Sequence, residues 1–111
     1  MEKCKENCHQ CFEVCSLTLN YCLAKGGNHI EPAHVSMLMD CIEICRVSEV
    51  FLMNGSKYHV LTCDACARIC DDCAMSCLSL SNDDPDGVMA ECAAVCTRCA
   101  ESCAEMSDTL P

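Results

Sequence analysis

The sequence predicts an all-α fold, an antiparallel up-down-up-down four-helix bundle with a core lined by cysteine. Three observations support this prediction. Cysteines recur at alternating spacings of three and four, which is the period of an α-helix. Turn-forming residues divide the chain into four segments of similar length. The connections between the segments are short, so neighbouring helices must run in opposite directions.

The cysteine pattern is dense and regular. Sixteen of the 111 residues are cysteine, and fourteen of these form seven Cys-x-x-x-Cys pairs. Residues four apart lie on one face of a helix, so both thiols of a pair point the same way. In most bundles this stripe would be leucine or valine facing the core. The pairs are Cys4/Cys8, Cys11/Cys15, Cys41/Cys45, Cys66/Cys70, Cys73/Cys77, Cys92/Cys96 and Cys99/Cys103.

The first two helices are bounded by glycine and proline. The first is predicted over 3–25 and ends at Gly26 and Gly27, since glycine readily takes the left-handed conformation that closes a helix. The second is predicted over 32–53, with Pro32 in the first turn, where the missing N–H is not needed.

The last two helices begin after capping residues. The third is predicted over 57–80, with Ser56 as its N-cap. The fourth is predicted over 85–106, with Asp84 as its N-cap and Pro85 in the first helical position. At this length we treat residues 1–111 as a single domain.

The second helix is poorer in cysteine than the others. Its stripe contains Cys41 and Cys45 and continues toward Met37 and His34. Its other faces carry additional apolar residues. Because the thiols already fill the interior of one bundle, this apolar surface favours contacts between subunits. Ordinary packing against flanking helices is the alternative.

Composition restricts the partners and the compartment. The formal net charge of −10 argues against a nucleic-acid partner and against an anionic membrane surface, since each requires a basic face. No apolar run approaches the length of a membrane span. The polar first residues contain no signal peptide, which predicts a cytoplasmic location.

Three chemistries compete for the thiols. Thiols one helical turn apart are too far apart for a disulfide, although disulfides between helices remain open. A structural zinc or iron–sulfur site is the second alternative, but such sites use different spacings, mostly in loops. The third is Cu(I), which soft thiolate and thioether ligands select among biological metals.

Charge favours Cu(I). Four thiolates around one Zn²⁺ leave a net charge of about −2, and several such sites would bury uncompensated charge. One Cu⁺ per thiolate replaces one proton per thiol, so the filled core stays neutral. Two metal–sulfur bonds of about 2.3 Å span about 4.6 Å, which thiols one turn apart can reach.

The seven pairs, together with Cys22 and Cys63, resemble the bacterial copper storage proteins, a family of cysteine-rich four-helix bundles. The likeness extends over all four segments. It implies a homotetramer of bundles that each store many Cu(I) ions on their thiolates, exchange with copper chaperones, and membership of the cytosolic branch. The ligands are then the sixteen cysteines, Cys4, Cys8, Cys11, Cys15, Cys22, Cys41, Cys45, Cys63, Cys66, Cys70, Cys73, Cys77, Cys92, Cys96, Cys99 and Cys103.

Histidine and methionine extend the stripes at both ends of the predicted bundle. His34, Met37 and Met89 lie at one end, and His59 and Met106 at the other. Imidazole and thioether groups bind Cu(I) more weakly than thiolate does, which suits a port where ions move; filling of gaps in the core is the alternative. The two remaining histidines are expected in solvent.

The sequence therefore predicts a protein that binds and stores many Cu(I) ions on thiolates facing the core, and not an enzyme. The alternative is a structural or redox thiol protein that binds zinc or forms interhelical disulfides. Free thiols could also reduce Cu(II) to Cu(I) as they form disulfides.

Overall fold

The computed structural model describes residues 1–107 as four α-helices joined by short connections. Helices α1 and α3 each pack against both α2 and α4. This up-down-up-down arrangement confirms the predicted fold class. The bundle measures 44 × 20 × 18 Å. The helices are α1 (Glu2–Lys25), α2 (Pro32–Met53), α3 (His59–Leu80) and α4 (Val88–Ser107).

The connection between α1 and α2 follows the predicted turn signals. Gly26 has a φ of 74°, in the left-handed region, and its amide donates to the carbonyl of Cys22 at 3.0 Å. One turn of 3₁₀-helix, Gly27–Ile30, then leads to Pro32 at the start of α2. The chain thus reverses within a few residues across the end of the bundle.

Helix α3 begins at His59, two residues later than predicted, and Ser56 is not its N-cap residue. The Ser56 hydroxyl accepts a hydrogen bond from the amide of Tyr58 at 3.1 Å, and its carbonyl accepts one from the amide of His59 at 3.1 Å. Ser56 therefore closes the turn that precedes the helix.

Helix α4 begins at Val88, so the prediction that Pro85 starts it is wrong. The reason is Gly87, whose φ of 75° lies in the left-handed region and cannot continue a right-handed helix. Asp84 still satisfies the helix start, because its carboxylate accepts a hydrogen bond from the amide of Met89 at 2.7 Å.

Asp84 also connects two elements that are distant in sequence. The Tyr21 hydroxyl, on α1, donates to the carboxylate of Asp84 and, at 2.9 Å, to that of Asp86. Burial opposes ionisation of Asp84. The hydrogen bonds from the Met89 amide and the Tyr21 hydroxyl outweigh burial and hold the pKa of Asp84 below its usual value.

The outer faces of the helices mix polar and apolar residues. Met75 is 68% exposed and Met39 is 53% exposed, on α3 and α2. Within residues 1–107, none of the helices combines the length and the apolar character needed to cross a bilayer.

We predict that Asp84→Ala lowers the free energy of unfolding by about 1–3 kcal/mol, because it removes the cap of α4 and the partner of Tyr21. Urea denaturation followed by circular dichroism measures the change. Asp83→Ala, at an exposed neighbouring carboxylate, is the matched control and should change it by less than about 0.5 kcal/mol.

The pH dependence of this loss follows from the lowered pKa of Asp84. The stabilisation is complete above the ordinary carboxyl pKa and disappears as the pH falls through the lowered value. If Asp84→Ala and Asp83→Ala had the same free energy of unfolding at neutral pH, the assigned role of Asp84 would be contradicted.

Candidate metal centre

Every cysteine of the chain faces the interior of the bundle. The sixteen thiols are free, and all are completely buried except that of Cys4, which is 2% exposed. The structure thus places together all the cysteines that the helical period predicted to share one core. Free cysteine packs as a small apolar side chain, which explains why thiols can take the positions of leucine and valine.

The four helices do not contribute equally to this core. α2 supplies only Cys41 and Cys45, as predicted from its sequence. The buried positions beyond them are His34 and Leu38 toward the start of the helix and Ser48 and Leu52 toward its end. The thiols on the α2 side are therefore confined to the middle of the bundle.

The sulfur atoms are in contact with one another along the bundle. Neighbouring Sγ atoms lie 3.6–3.9 Å apart, which is contact between thiols and far longer than a disulfide bond. One unbroken path of such contacts joins Cys4, Cys103, Cys8, Cys99, Cys45, Cys70, Cys41, Cys15 and Cys92.

Five groups of thiols have the geometry of metal sites, with sulfur atoms within 4.8 Å of one another. Four groups contain four thiols and share members, so an ion in one is adjacent to the next. One group contains three. The groups are Cys8/Cys66/Cys99/Cys103, Cys11/Cys41/Cys45/Cys70, Cys11/Cys15/Cys41/Cys96, Cys45/Cys66/Cys70/Cys99 and Cys4/Cys63/Cys103.

Thiols within one helix are also close enough to share an ion. The Sγ atoms of Cys11 and Cys15 lie 3.8 Å apart, and those of Cys66 and Cys70 lie 3.7 Å apart. A linear S–Cu–S unit of about 4.6 Å requires each pair to open by about 1 Å. Small changes in side-chain torsion supply this movement without moving the backbone.

Hydrogen bonds between neighbouring thiols hold the protons of the core in place. The Sγ atoms of Cys11 and Cys15 lie 3.8 Å apart, and either sulfur can donate the S–H. The pKa of Cys15 is raised, because its hydrogen bond to Cys11 favours the protonated form and burial adds to the effect. A cation that binds such a pair therefore displaces protons that the protein already holds in place.

The end of the bundle where α1 finishes holds Cys22 next to nitrogen ligands. The Cys22 Sγ lies 3.4 Å from Nε2 of His34, whose Nδ1 lies 2.7 Å from the hydroxyl of Ser76. Burial raises the pKa of Cys22 to about 11, with smaller contributions from Cys92 and Asp84. His34 is 5% exposed, and burial lowers its pKa, which favours the neutral ring that binds metals.

His29 was expected in solvent, and this prediction is wrong. The 3₁₀ turn between α1 and α2 places His29 over the end of the bundle, 4% exposed, with its Nδ1 3.7 Å from the Cys22 Sγ. Its ring packs edge-on against Tyr21. The helical period could not reveal this residue, because His29 is not on a helical stripe. The only signal in the sequence was Gly26 and Gly27, which predict a turn just before His29.

The opposite end of the bundle holds the group of three thiols and His59. The Nδ1 of His59 lies 2.8 Å from the carbonyl oxygen of Ser56. A carbonyl only accepts, so Nδ1 carries the proton and Nε2 of the neutral ring has the free lone pair. That Nε2 is buried and has no hydrogen-bond partner among residues 1–107. Ligand histidines typically have this arrangement.

The remaining predicted positions lie around the core. Met89 is completely buried, whereas Met37 and Met106 are partly buried and pack against the core. Leu38 takes the fully buried position next to Met37. His9 is exposed, as expected, and contacts acidic residues of α1 and α2.

Comparison with known proteins identifies the family. The family model described as copper storage protein matches residues 1–108. The chain belongs to the copper storage protein family. This confirms the resemblance inferred from the cysteine pairs.

Solved structures of similar proteins share the fold along nearly the whole chain. A protein of Nitrosospira multiformis is 38% identical, with a TM-score of 0.88 over 98% of this chain and 95% of that one. The Cu(I)-bound copper storage protein BsCsp3 is 26% identical, with a TM-score of 0.84 over 96% of each chain. Apo copper storage protein 3 of Bacillus subtilis is 25% identical, with a TM-score of 0.79 over 96% of this chain and 97% of that chain.

One further relative is known from sequence. An uncharacterized cysteine-rich protein of Bacillus subtilis, YhjQ, is 29% identical over 76 residues, which cover 68% of this chain and 70% of the relative. The family likeness thus extends through the helical core described above.

Proposed function

We propose that this member of the copper storage family binds and stores many Cu(I) ions per subunit on the thiolates of its core. One observation carries the proposal. The core is a continuous array of free, buried thiols that remains electrically neutral if each proton is exchanged for one monovalent cation. The Cu(I)-bound state of the similar protein BsCsp3 supports the same ion.

Filling proceeds by local exchange. An arriving Cu(I) displaces protons from a pair such as Cys11 and Cys15, where one sulfur already accepts S–H from the other. Thiols of the neighbouring helices lie within 3.9 Å, so later ions share sulfurs and form clusters. The unbroken path of sulfur contacts allows an ion to move along the bundle by exchanging one ligand at a time.

The alternatives fit the same geometry less well. Each four-thiol group has the ligand number of a tetrahedral Zn²⁺ site, but one Zn²⁺ on four thiolates would leave about two negative charges buried in the core. The groups also share thiols, so they cannot all be filled as separate four-thiolate zinc sites. Interhelical disulfides would require contacts of 3.6 Å to shorten to about 2.05 Å. Such links would consume the thiols two at a time and abolish storage.

The two ends of the bundle are the proposed ports. At one end His34 lies beside Cys22, and at the other His59 offers a buried lone pair. Each ring is oriented through its Nδ1, by Ser76 and by the Ser56 carbonyl. Met89 and Met37 complete the first end in the same proposal. Weaker ligands than thiolate allow ions to leave as well as arrive.

The proposed role is storage without catalysis, in the cytoplasm. Sixteen free thiols suit a reducing compartment. Copper chaperones are the proposed donors and acceptors, since ligand exchange between thiols avoids free Cu(I).

The proposed oligomer is a homotetramer, as the family resemblance implies. Exposed Met39 and Met75 provide apolar surface on α2 and α3 for contacts between subunits. Light scattering coupled to gel filtration should give about four times the mass of one chain, and a monomer mass would contradict the tetramer.

The first prediction from this proposal concerns capacity. The reduced protein should take up close to one Cu(I) per cysteine, measured by competition with a chromophoric Cu(I) chelator. The variant with Cys66, Cys70, Cys73 and Cys77 all changed to alanine should lose about four ions and remain helical. Ser16→Ala, Ser79→Ala, Ser81→Ala and Ser107→Ala together, outside the core, form the control that should keep full capacity.

Two outcomes would contradict the capacity prediction. Uptake of about four Zn²⁺ in preference to Cu(I) would favour a structural zinc protein. Fewer than sixteen reactive thiols in denaturant, without added reductant, would favour interhelical disulfides.

The second prediction concerns exchange. His34→Ala should leave the Cu(I) capacity within about one ion of the original but slow transfer to a chelator by on the order of tenfold, since it removes a port ligand. Stopped-flow absorbance measures the rate. His9→Ala, at an exposed ring remote from the core, is the control. Unchanged rates in both variants would show that His34 only fills space.

A further inference from the structure

We propose that the thiols of Cys4, Cys63 and Cys103 also form a binding site for trivalent arsenic, taken up as neutral arsenous acid. This activity is separate from copper storage and depends on a different charge and coordination number. It rests on three features of this group, which are the number of thiols, their charge balance and their position at one end of the bundle.

The first feature is the number of thiols. The sulfurs of Cys4, Cys63 and Cys103 lie within 4.8 Å of one another, and those of Cys4 and Cys103 are in contact at 3.6 Å. Among residues 1–107, this is the group with three members, whereas the other four groups each have four. Trivalent arsenic bears one lone pair and three bonds, so it needs three convergent thiolates and no fourth ligand.

The second feature is charge. A divalent ion among four thiolates leaves uncompensated negative charge, which is costly to bury. A divalent ion among three thiolates still leaves a net charge of −1. Three thiolates and one trivalent arsenic are neutral. Arsenous acid is itself uncharged, so the net charge of −10 on the protein neither attracts nor repels it.

The third feature is position. Cys4 is the cysteine with measurable exposure, 2%, and it lies in the first turn of α1 at the end of the bundle. Cys63 lies in the second turn of α3, and Cys103 lies near the end of α4. The group therefore lies at the end of the bundle and not in its packed middle.

The reaction is a condensation without electron transfer. Three S–H bonds and three As–O bonds break, and three As–S bonds and three O–H bonds form. One arsenous acid and three thiols give one arsenic tris-thiolate and three waters. Arsenic remains trivalent, and no cysteine is oxidised.

The test uses the metal-free, reduced, full-length protein titrated with arsenite. The first equivalent should produce the ultraviolet absorbance of arsenic–thiolate bonds and a mass gain of one arsenic less three hydrogens. Cys4→Ser and Cys63→Ser should each weaken that first equivalent by at least about 100-fold, because loss of a direct ligand exceeds the 10–100-fold typical of outer partners. Cys4 and Cys63 belong to no other group of thiols in residues 1–107, so these variants leave the four-thiol groups intact.

Cys22→Ser is the matched control, since this thiol lies at the opposite end and belongs to none of the five groups in residues 1–107. It should bind the first equivalent as the original protein does. Anomalous scattering from a crystal of the wild-type protein with one equivalent of arsenite provides a second readout that needs no variant. A single arsenic peak between the three sulfurs is the expected result.

Any of three results would overturn the proposal. The first is an unchanged first equivalent in both Cys4→Ser and Cys63→Ser. The second is an arsenic peak within a four-thiol group, and the third is no tight binding of arsenite at all. None of these results bears on Cu(I) capacity, which is measured separately, so failure here leaves the proposed storage function standing.

Discussion

The structure depends on one constraint, which is that its buried sulfur must remain electrically neutral. Sixteen thiols occupy the positions that aliphatic side chains hold in other bundles, and fifteen of them have no exposed surface. A buried thiolate without a cation is strongly disfavoured. Each site is therefore stable in two forms, with a proton or with a monovalent metal ion.

Neutrality in both forms explains how a helical bundle can serve as a container. The apo core is packed, because protonated thiols contact one another at 3.6–3.9 Å and behave as small apolar groups. The loaded core requires only small torsional changes, since the sulfurs already lie within bridging distance. The ligands are side-chain sulfurs, so loading need not break the backbone hydrogen bonds of the helices.

The two ends of the bundle differ in chemistry. Where α1 ends, Cys22 lies beside His34 and under His29. Near this end, the hydroxyl of Tyr21 on α1 donates hydrogen bonds to Asp84 and Asp86 in the connection before α4. Where α1 begins, the sulfurs of Cys4, Cys63 and Cys103 lie within 4.8 Å of one another. Both ends thus combine nitrogen with sulfur, and the end where α1 begins adds a group of three thiols close enough to share one ligand atom. The four-thiol groups line the middle of the bundle, which therefore offers the most sites for metal ions.

Much of the fold and the core was predictable from the sequence, because both follow from local periodicity. The spacing of three and four between cysteines places Cys66, Cys70 and Cys73 on one face whatever the neighbours are. The end of α1 at Lys25 and the start of α2 at Pro32 follow from the backbone preferences of glycine and proline.

Tertiary structure decided the features that local rules leave open. Because Gly87 has a left-handed backbone conformation, α4 begins only at Val88. The Asp84 carboxylate still caps the helix by accepting a hydrogen bond from the amide of Met89. Packing between the helices buries Leu38 of α2 completely, whereas its neighbour Met37 is only partly buried. The burial of His29 and the convergence of Cys4, Cys63 and Cys103 join residues from different elements. Periodicity determines which way a side chain points along its own helix, whereas only packing determines which side chains of other elements it meets.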